Sequence, residues 1–269
     1  MVELNVLDLE SNEKGKVKLP KQFEEGIRPD LIKRVVLAIN SHNRQDYGAS
    51  PLAGKRASAV ISKRRQSYRG SYGLGISRSR RKIMSRRGTR MNWVGAFSPE
   101  TVGGRRAHPP KADKIWWQKV NKRERKKAIR SAIAATVDKG LVEERGHKLP
   151  NNYPFIIDES IEKMDKTKKV KDVLIKLGLD KELKRAEIKK VRAGKGKVRG
   201  RKYKKKKGPL LVVSKDCKLI KSATNIPGVD VCEVSNINTE LLAPGAVPGR
   251  LTIWSKGAID LLEKEKLFS

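Results

Sequence analysis

The sequence predicts an α/β protein, a three-layer α/β/α sandwich around a mostly parallel sheet, with a long extended basic loop inserted near its N-terminal third. Three observations predict it. Apolar runs of strand length recur at residues 154–157, 210–213, 229–234 and 251–254. Helical stripes of period 3.6 lie between them, and that alternation implies right-handed crossovers and a sheet covered on both faces. The third is residues 44–110, which sustain neither a period of 2 nor one of 3.6 and so read as a loop within a single domain spanning residues 1–269.

Taken in order, residues 2–9 alternate apolar and polar ahead of the turn-rich Ser11-Asn12-Glu13-Lys14-Gly15, and Val17 and Leu19 follow, the pattern of a strand and hairpin. A helix then starts at Pro29, where a first turn tolerates proline, with Leu31, Ile32, Val35, Val36 and Ile39 on one face. After the basic loop, Ile129, Ala132, Ile133, Thr136 and Val137 mark a second helix, preceded by a basic turn over residues 122–127. Val170, Val173, Leu174 and Leu177 give a third at i, i+3, i+4, i+7. Asn238 is the expected cap of a short helix over Thr239-Glu240-Leu241-Leu242, and Ser255 of one carrying Ala258, Ile259, Leu261 and Leu262.

Charge decides the class of partner. Sixty-three Lys and Arg against 29 Asp and Glu give a formal net charge of +34 over 269 residues. Such a surface displaces counterions from phosphates and binds nucleic acid without needing base contacts. An anionic membrane is the rival partner, but the chain shows no apolar run of about 18 residues, no signal peptide and no basic amphipathic helix with a greasy face. Cys217 and Cys232 lack metal-ligand spacing and nearby histidines, so neither zinc nor a disulfide framework is expected, and Cys232 reads as a small buried hydrophobe.

Two basic stretches carry the candidate contacts. Between Tyr47 and Pro99 there is no acid, while Lys55, Arg56, Lys63, Arg64, Arg65, Arg69, Arg78, Arg80, Arg81, Lys82, Arg86, Arg87 and Arg90 crowd the segment, with Arg105, Arg106 and His108 following. A segment that cannot neutralise itself orders only when a polyanion supplies the counter-charge. Residues 184–208 form a second, lysine-rich loop in which Glu187 is the sole acid; its glycines let backbone approach phosphates, leaving Lys195, Lys197, Arg199, Arg201, Lys202 and Tyr203 to reach them. The arginine bias of the first stretch suits folded RNA, because a guanidinium binds phosphate bidentately and stacks on unpaired bases. Tyr68, Tyr72 and Trp93 interleave with it and are placed either to stack on bases or to pack against protein.

No enzymatic constellation emerges. Gly73-Leu74-Gly75 is a fragment of a dinucleotide-binding pattern and follows no strand, and Gly194-Lys195-Gly196-Lys197 lacks the Ser/Thr of a P-loop. Asp158-Glu159 follows a strand at the end where α/β enzymes hold ligands, but reads as a helix cap or surface acid. His42, His108 and His147 are scattered, without a carboxylate at a telling spacing. No catalytic, cofactor or metal residue is therefore expected. An RNA-modifying enzyme would need a glycine-rich loop directly after a core strand; a sequence-neutral DNA-compacting protein would not need so long an insertion.

Five blocks in order, VGGRRAHPPK (102–111), AIRSAIAAT (128–136), RAGKGKVRGRKY (192–203), GPLLVV (208–213) and NTELLAPGAVPGRLTIW (238–254), resemble the family of the fourth protein of the large ribosomal subunit in its archaeal and eukaryotic form, the shorter archaeal type in particular. The resemblance implies a cytoplasmic, ribosomal, non-enzymatic protein without cofactors. It implies an α/β domain on the outside of the large subunit that binds its rRNA early in assembly. It further implies a loop, here about residues 44–110, that crosses rRNA to the wall of the peptide exit tunnel, beside ribosomal protein twenty-two and the passing nascent peptide. The tip is expected within residues 63–90, with Tyr68, Tyr72, Ile83 and Met84 as tunnel candidates. At about 3.3 Å per residue, some 50 residues folded back on themselves reach roughly 80 Å, enough to cross a thick layer of RNA.

Overall fold

The structure, a computed structural model, describes residues 2–68 and 70–268. Its elements in chain order are β1 (Glu3–Leu7), β2 (Glu13–Lys18), α1 (Pro29–His42), β3 (Arg81–Arg87), β4 (Arg90–Gly95), α2 (Lys122–Val137), α3 (Lys139–Glu144), β5 (Ile156–Ile157), α4 (Thr167–Lys176), α5 (Asp180–Glu187), β6 (Lys189–Val191), β7 (Tyr203–Lys205), β8 (Leu210–Val213), α6 (Lys218–Ala223), β9 (Asp230–Glu233), α7 (Thr239–Leu242), β10 (Thr252–Ser255) and α8 (Lys256–Lys264). They fall into two compact units: Met1–Asn43 with Trp117–Ser269, and Arg44–Trp116.

The first unit is the α/β/α sandwich. Its six-stranded sheet runs β2-β1-β5-β10-β8-β9. β2 is the antiparallel edge partner of β1, and every other neighbouring pair is parallel. Alternation along the strands sends side chains to opposite faces. Leu4, Val6, Ile156, Leu210, Val212 and Trp254 join α1, α2, α7 and α8 in one core. Leu7, Ile157, Leu211, Val213 and Ile253 join α4, α5 and α6 in the other. Strands buried on both faces explain why 210–213 and 251–254 read as continuous apolar runs.

Trp254 anchors the first core, with Phe23 edge-on at 5.2 Å between ring centroids. Asn238 accepts from Leu241 N at 2.8 Å and Ser255 from Ala258 N at 3.2 Å, the two expected caps.

Three local expectations are corrected. Residues 122–127 are the opening turns of α2, not a turn before it: straight-chain Lys, Arg and Glu are good helix formers, and here Lys122, Arg123, Arg125 and Lys126 are exposed. The basic segment is not structureless, since β3 and β4 form an antiparallel hairpin with Arg87 opposite Arg90 around Gly88-Thr89. In the second basic run, Lys184 to Glu187 finish α5, and β6 and β7 pair Lys189 with Lys205, Lys190 with Lys204 and Val191 with Tyr203.

Candidate nucleic-acid interface

Close backbone approaches hold the arms of the Arg44–Trp116 unit together. Ala49 N donates to Pro110 O at 3.0 Å and Ala96 N to Arg80 O at 2.8 Å. Gly54 adopts φ +69°, and a Cβ there would stand 2.4 Å from Gly104 O and 2.5 Å from Arg105 Cα. Only glycine fits both demands. Ser71 closes a smaller loop, giving its N–H (3.1 Å) and hydroxyl (2.7 Å) to Ser62 O.

Aromatic faces take over the task that carboxylates perform elsewhere. The guanidinium of Arg44 lies 3.9 Å from the Trp116 centroid and the Lys114 ammonium 4.3 Å from it, while Tyr47 stacks on the same indole at 5.6 Å. Arg65 and Arg78 lie 5.4 and 4.9 Å from the Tyr72 ring, and Arg80 lies 4.4 Å from Phe97. Such contacts position the cations without cancelling their charge. Among the described residues, no Lys or Arg of this unit forms a salt bridge.

The β6–β7 hairpin repeats the pattern in the first unit. Two lysine pairs sit directly opposite one another, a cross-strand arrangement that is destabilising until an anion lies over it. Its connecting loop is folded on its own backbone, with Arg192 N donating to Lys202 O at 2.8 Å, Arg192 Nε to Arg201 O at 3.0 Å and Arg201 N to Gly196 O at 3.0 Å, and Lys195, Lys197, Arg199, Arg201 and Lys202 stay exposed.

Beside this hairpin, a cleft of about 650 Å³ is walled by Glu144, Arg145, His147, Arg185, Ile188, Lys190, Lys204, Lys205, Lys206, Lys207 and Val247. Under it lies a buried ionic cluster. Glu182 accepts from His147 Nδ1 at 2.7 Å, from Lys148 N at 2.9 Å and from Arg185 Nε and Nη2 at 2.7 and 2.6 Å. Although burial works against ionisation, these donors hold the Glu182 carboxyl down at about 2, and burial pushes His147 below its ordinary value. Arg250, fully buried, is neutralised by Asp230 at 2.6 Å and donates to Gly208 O and Leu241 O.

Residues 17–265 match the ribosomal protein L4/L1 family. The chain is 52% identical over 268 residues to "Large ribosomal subunit protein uL4" of Nanoarchaeum equitans, covering 99% of this chain and all of that one. It is 43% identical to the uL4 of Archaeoglobus fulgidus (97% and 98% covered) and 44% identical to that of Methanosphaera stadtmanae (97% and 96%). This chain belongs to the ribosomal protein L4/L1 family. Family membership makes it a structural ribosomal protein and not an enzyme.

In this L4/L1 family member, the candidate residues Lys55, Arg56, Lys63, Arg64, Arg65, Arg78, Lys82, Arg86, Arg87, Arg90, Arg106 and His108 are exposed, as are Lys195, Lys197, Arg199, Arg201, Lys202 and Tyr203. Arg80, Arg81 and Arg105 are half-buried, two of them by stacking near Phe97, and Arg69 lies outside the described residues. Of the tunnel candidates, Tyr68 and Met84 are 86% and 75% exposed, Ile83 pairs across the hairpin with Trp93, and Tyr72 is held by its two arginines. Asp158 is a surface acid paired with Lys14 at 3.2 Å. Cys232 is buried and its thiol is pushed up to about 11.

Sequence reasoning missed the Glu182 cluster. His147 does have a carboxylate partner, 35 residues away in sequence, which no local spacing reveals. It also missed Trp116 with Arg44, whose only sequence signal is an aromatic residue just outside the assumed loop end at 110.

Proposed function

We propose that this protein binds large-subunit rRNA, supports the compaction of that RNA during assembly in the cytoplasm, and lines the polypeptide exit tunnel with part of the 63–90 region. The single observation that carries the reading is a unit, Arg44–Trp116, whose many cations find no carboxylate among the described residues. Its backbone is braced at Gly54 and its arginines are propped on aromatic rings, so the surface is arranged and still wants anions. Phosphates of folded RNA supply them at the required density. By the family likeness, the neighbours of the tip are ribosomal protein twenty-two and the nascent peptide. No helix among the described residues is long and apolar enough to cross a membrane.

The test is binding to large-subunit rRNA across a salt series, beside unrelated folded RNA of equal length. Steep salt dependence with preference for the rRNA is expected, and equal affinity for both RNAs defeats the proposal. Photocrosslinkers at Tyr72 and Met84 in stalled ribosomes test the tunnel assignment. Labelling of the nascent peptide is expected, and labelling of RNA alone excludes it.

A further inference from the structure

The cleft beside the β6–β7 hairpin mixes two kinds of lining. Cations line it, among them Arg145, Arg185, Lys190 and Lys204, and so do two aliphatic side chains, Ile188 and Val247, which are 48% and 52% exposed. Val247 lies beside Arg145, which donates to its carbonyl. A bare phosphate would leave those aliphatic groups wet. A planar base joined to a phosphate meets both kinds of group, and the volume of about 650 Å³ falls in the range of small-ligand sites, roughly 300–1,000 Å³.

Charge balance points the same way. Glu182 is spent on His147 and Arg185, and Asp230 on Arg250 and Lys207. Arg145 is left, half-buried, with only the carbonyls of Val247 and Pro244 as hydrogen-bond partners and no ion pair among the described residues. Burial and repulsion from Arg250 and Arg185 lower it to about 10. An anion in the cleft relieves that repulsion, and Glu144, exposed on the rim, is the sole acid in the lining.

We propose that this cleft receives one unstacked nucleotide of an RNA chain, its phosphate on Arg145, Lys190 and Lys204 and its base against Ile188 and Val247. The inference rests on the RNA-binding reading and deepens it, because charge attraction alone carries no preference for a splayed nucleotide. A recess this size would read a bulge or loop and ignore a regular helix.

The experiment uses the full chain labelled at isoleucine and valine methyls. Titration with 5′-AMP is expected to shift the Ile188 and Val247 methyl resonances saturably, whereas inorganic phosphate or adenosine alone does so at least tenfold more weakly. The exposed pair Lys190→Gln with Lys204→Gln should weaken AMP about tenfold without changing the fold, which keeps the test independent of Arg145→Gln, where the Val247 backbone could move. An RNA duplex carrying one bulged nucleotide should displace AMP, and the fully paired duplex should not. Absence of saturable AMP shifts, or failure of the bulged RNA to displace AMP, overturns the proposal. Loss of preference for large-subunit rRNA is read separately and strikes the wider function instead.

Discussion

The hydroxyl of Ser255, at the end of β10, donates to Glu162 Oε1 at 2.6 Å, and the same carboxylate takes the N–H (2.8 Å) and hydroxyl (2.6 Å) of Ser214 just past β8. One side chain therefore ties together the carboxyl ends of two adjacent parallel strands. In open α/β sheets that is where the ligand crevice lies. Here the protein's own carboxylate fills it, and Gly257 packs so tightly that a Cβ would stand 3.2 Å from Glu159 Oε1.

Ser255 serves two elements, since its hydroxyl oxygen also accepts from Ala258 N to cap α8. Ser255→Ala removes both bonds, although Ser214 still donates to each oxygen of Glu162. A loss of about 1–3 kcal/mol is expected in urea denaturation, with rRNA affinity unchanged. Reduced RNA affinity at full stability would contradict a purely structural role.

Glu182 and His147 make stability acid-sensitive, and the signs agree. Both have folded-state values below their ordinary ones, so each contribution is present above the unfolded value and is lost as pH falls towards the folded one. For His147 the loss begins below about 6.5 and for Glu182 below about 4.3, continuing for the carboxyl towards about 2. Glu182→Gln should destabilise at neutral pH by about 3 kcal/mol and flatten the stability profile between pH 4 and 2. A variant with an unchanged acid limb would show that other groups govern it.

The sandwich was legible in the sequence because its signals are local: the runs at 210–213 and 251–254 are strands buried on both faces, and Asn238 and Ser255 cap the helices they precede. The partners of Glu182 and Arg250 were not, since each lies 20 or more residues from at least one group it neutralises. The β3–β4 hairpin escaped for a different reason. Its strands place Arg and Lys where β-patterning expects apolar residues, so alternation is erased, and only the bulky residues flanking Gly88-Thr89 hint at a turn. What no sequence pattern gives is the propping of Arg65 and Arg78 on Tyr72.

The β3–β4 hairpin is a two-stranded sheet with Arg87 facing Arg90 and with Ile83 and Trp93 paired on an exposed surface. Isolated hairpins are marginal in water, and like charges opposite each other weaken them further. Amides of β3 and β4 are expected to exchange quickly in the free protein and at least tenfold more slowly once rRNA is bound. Equal protection in both states would mean that the hairpin needs no RNA to order it.

Arg86, Arg87 and Arg90 surround the Gly88-Thr89 turn and, apart from Arg86 Nε on Gly88 O at 2.9 Å, their side chains show no hydrogen bond among the described residues. If each neutralises one phosphate, replacing all three by glutamine should make the log–log salt slope of rRNA binding shallower by about 2–3, at roughly 0.7–0.9 per phosphate. Affinity should fall most at low salt and converge with the wild type as salt rises. Lys195→Gln with Lys197→Gln supplies the comparison: these lysines lie in the connecting loop of a different hairpin, so their effect should add to that of the arginines. A triple arginine variant with the wild-type slope would place the hairpin turn away from RNA phosphates.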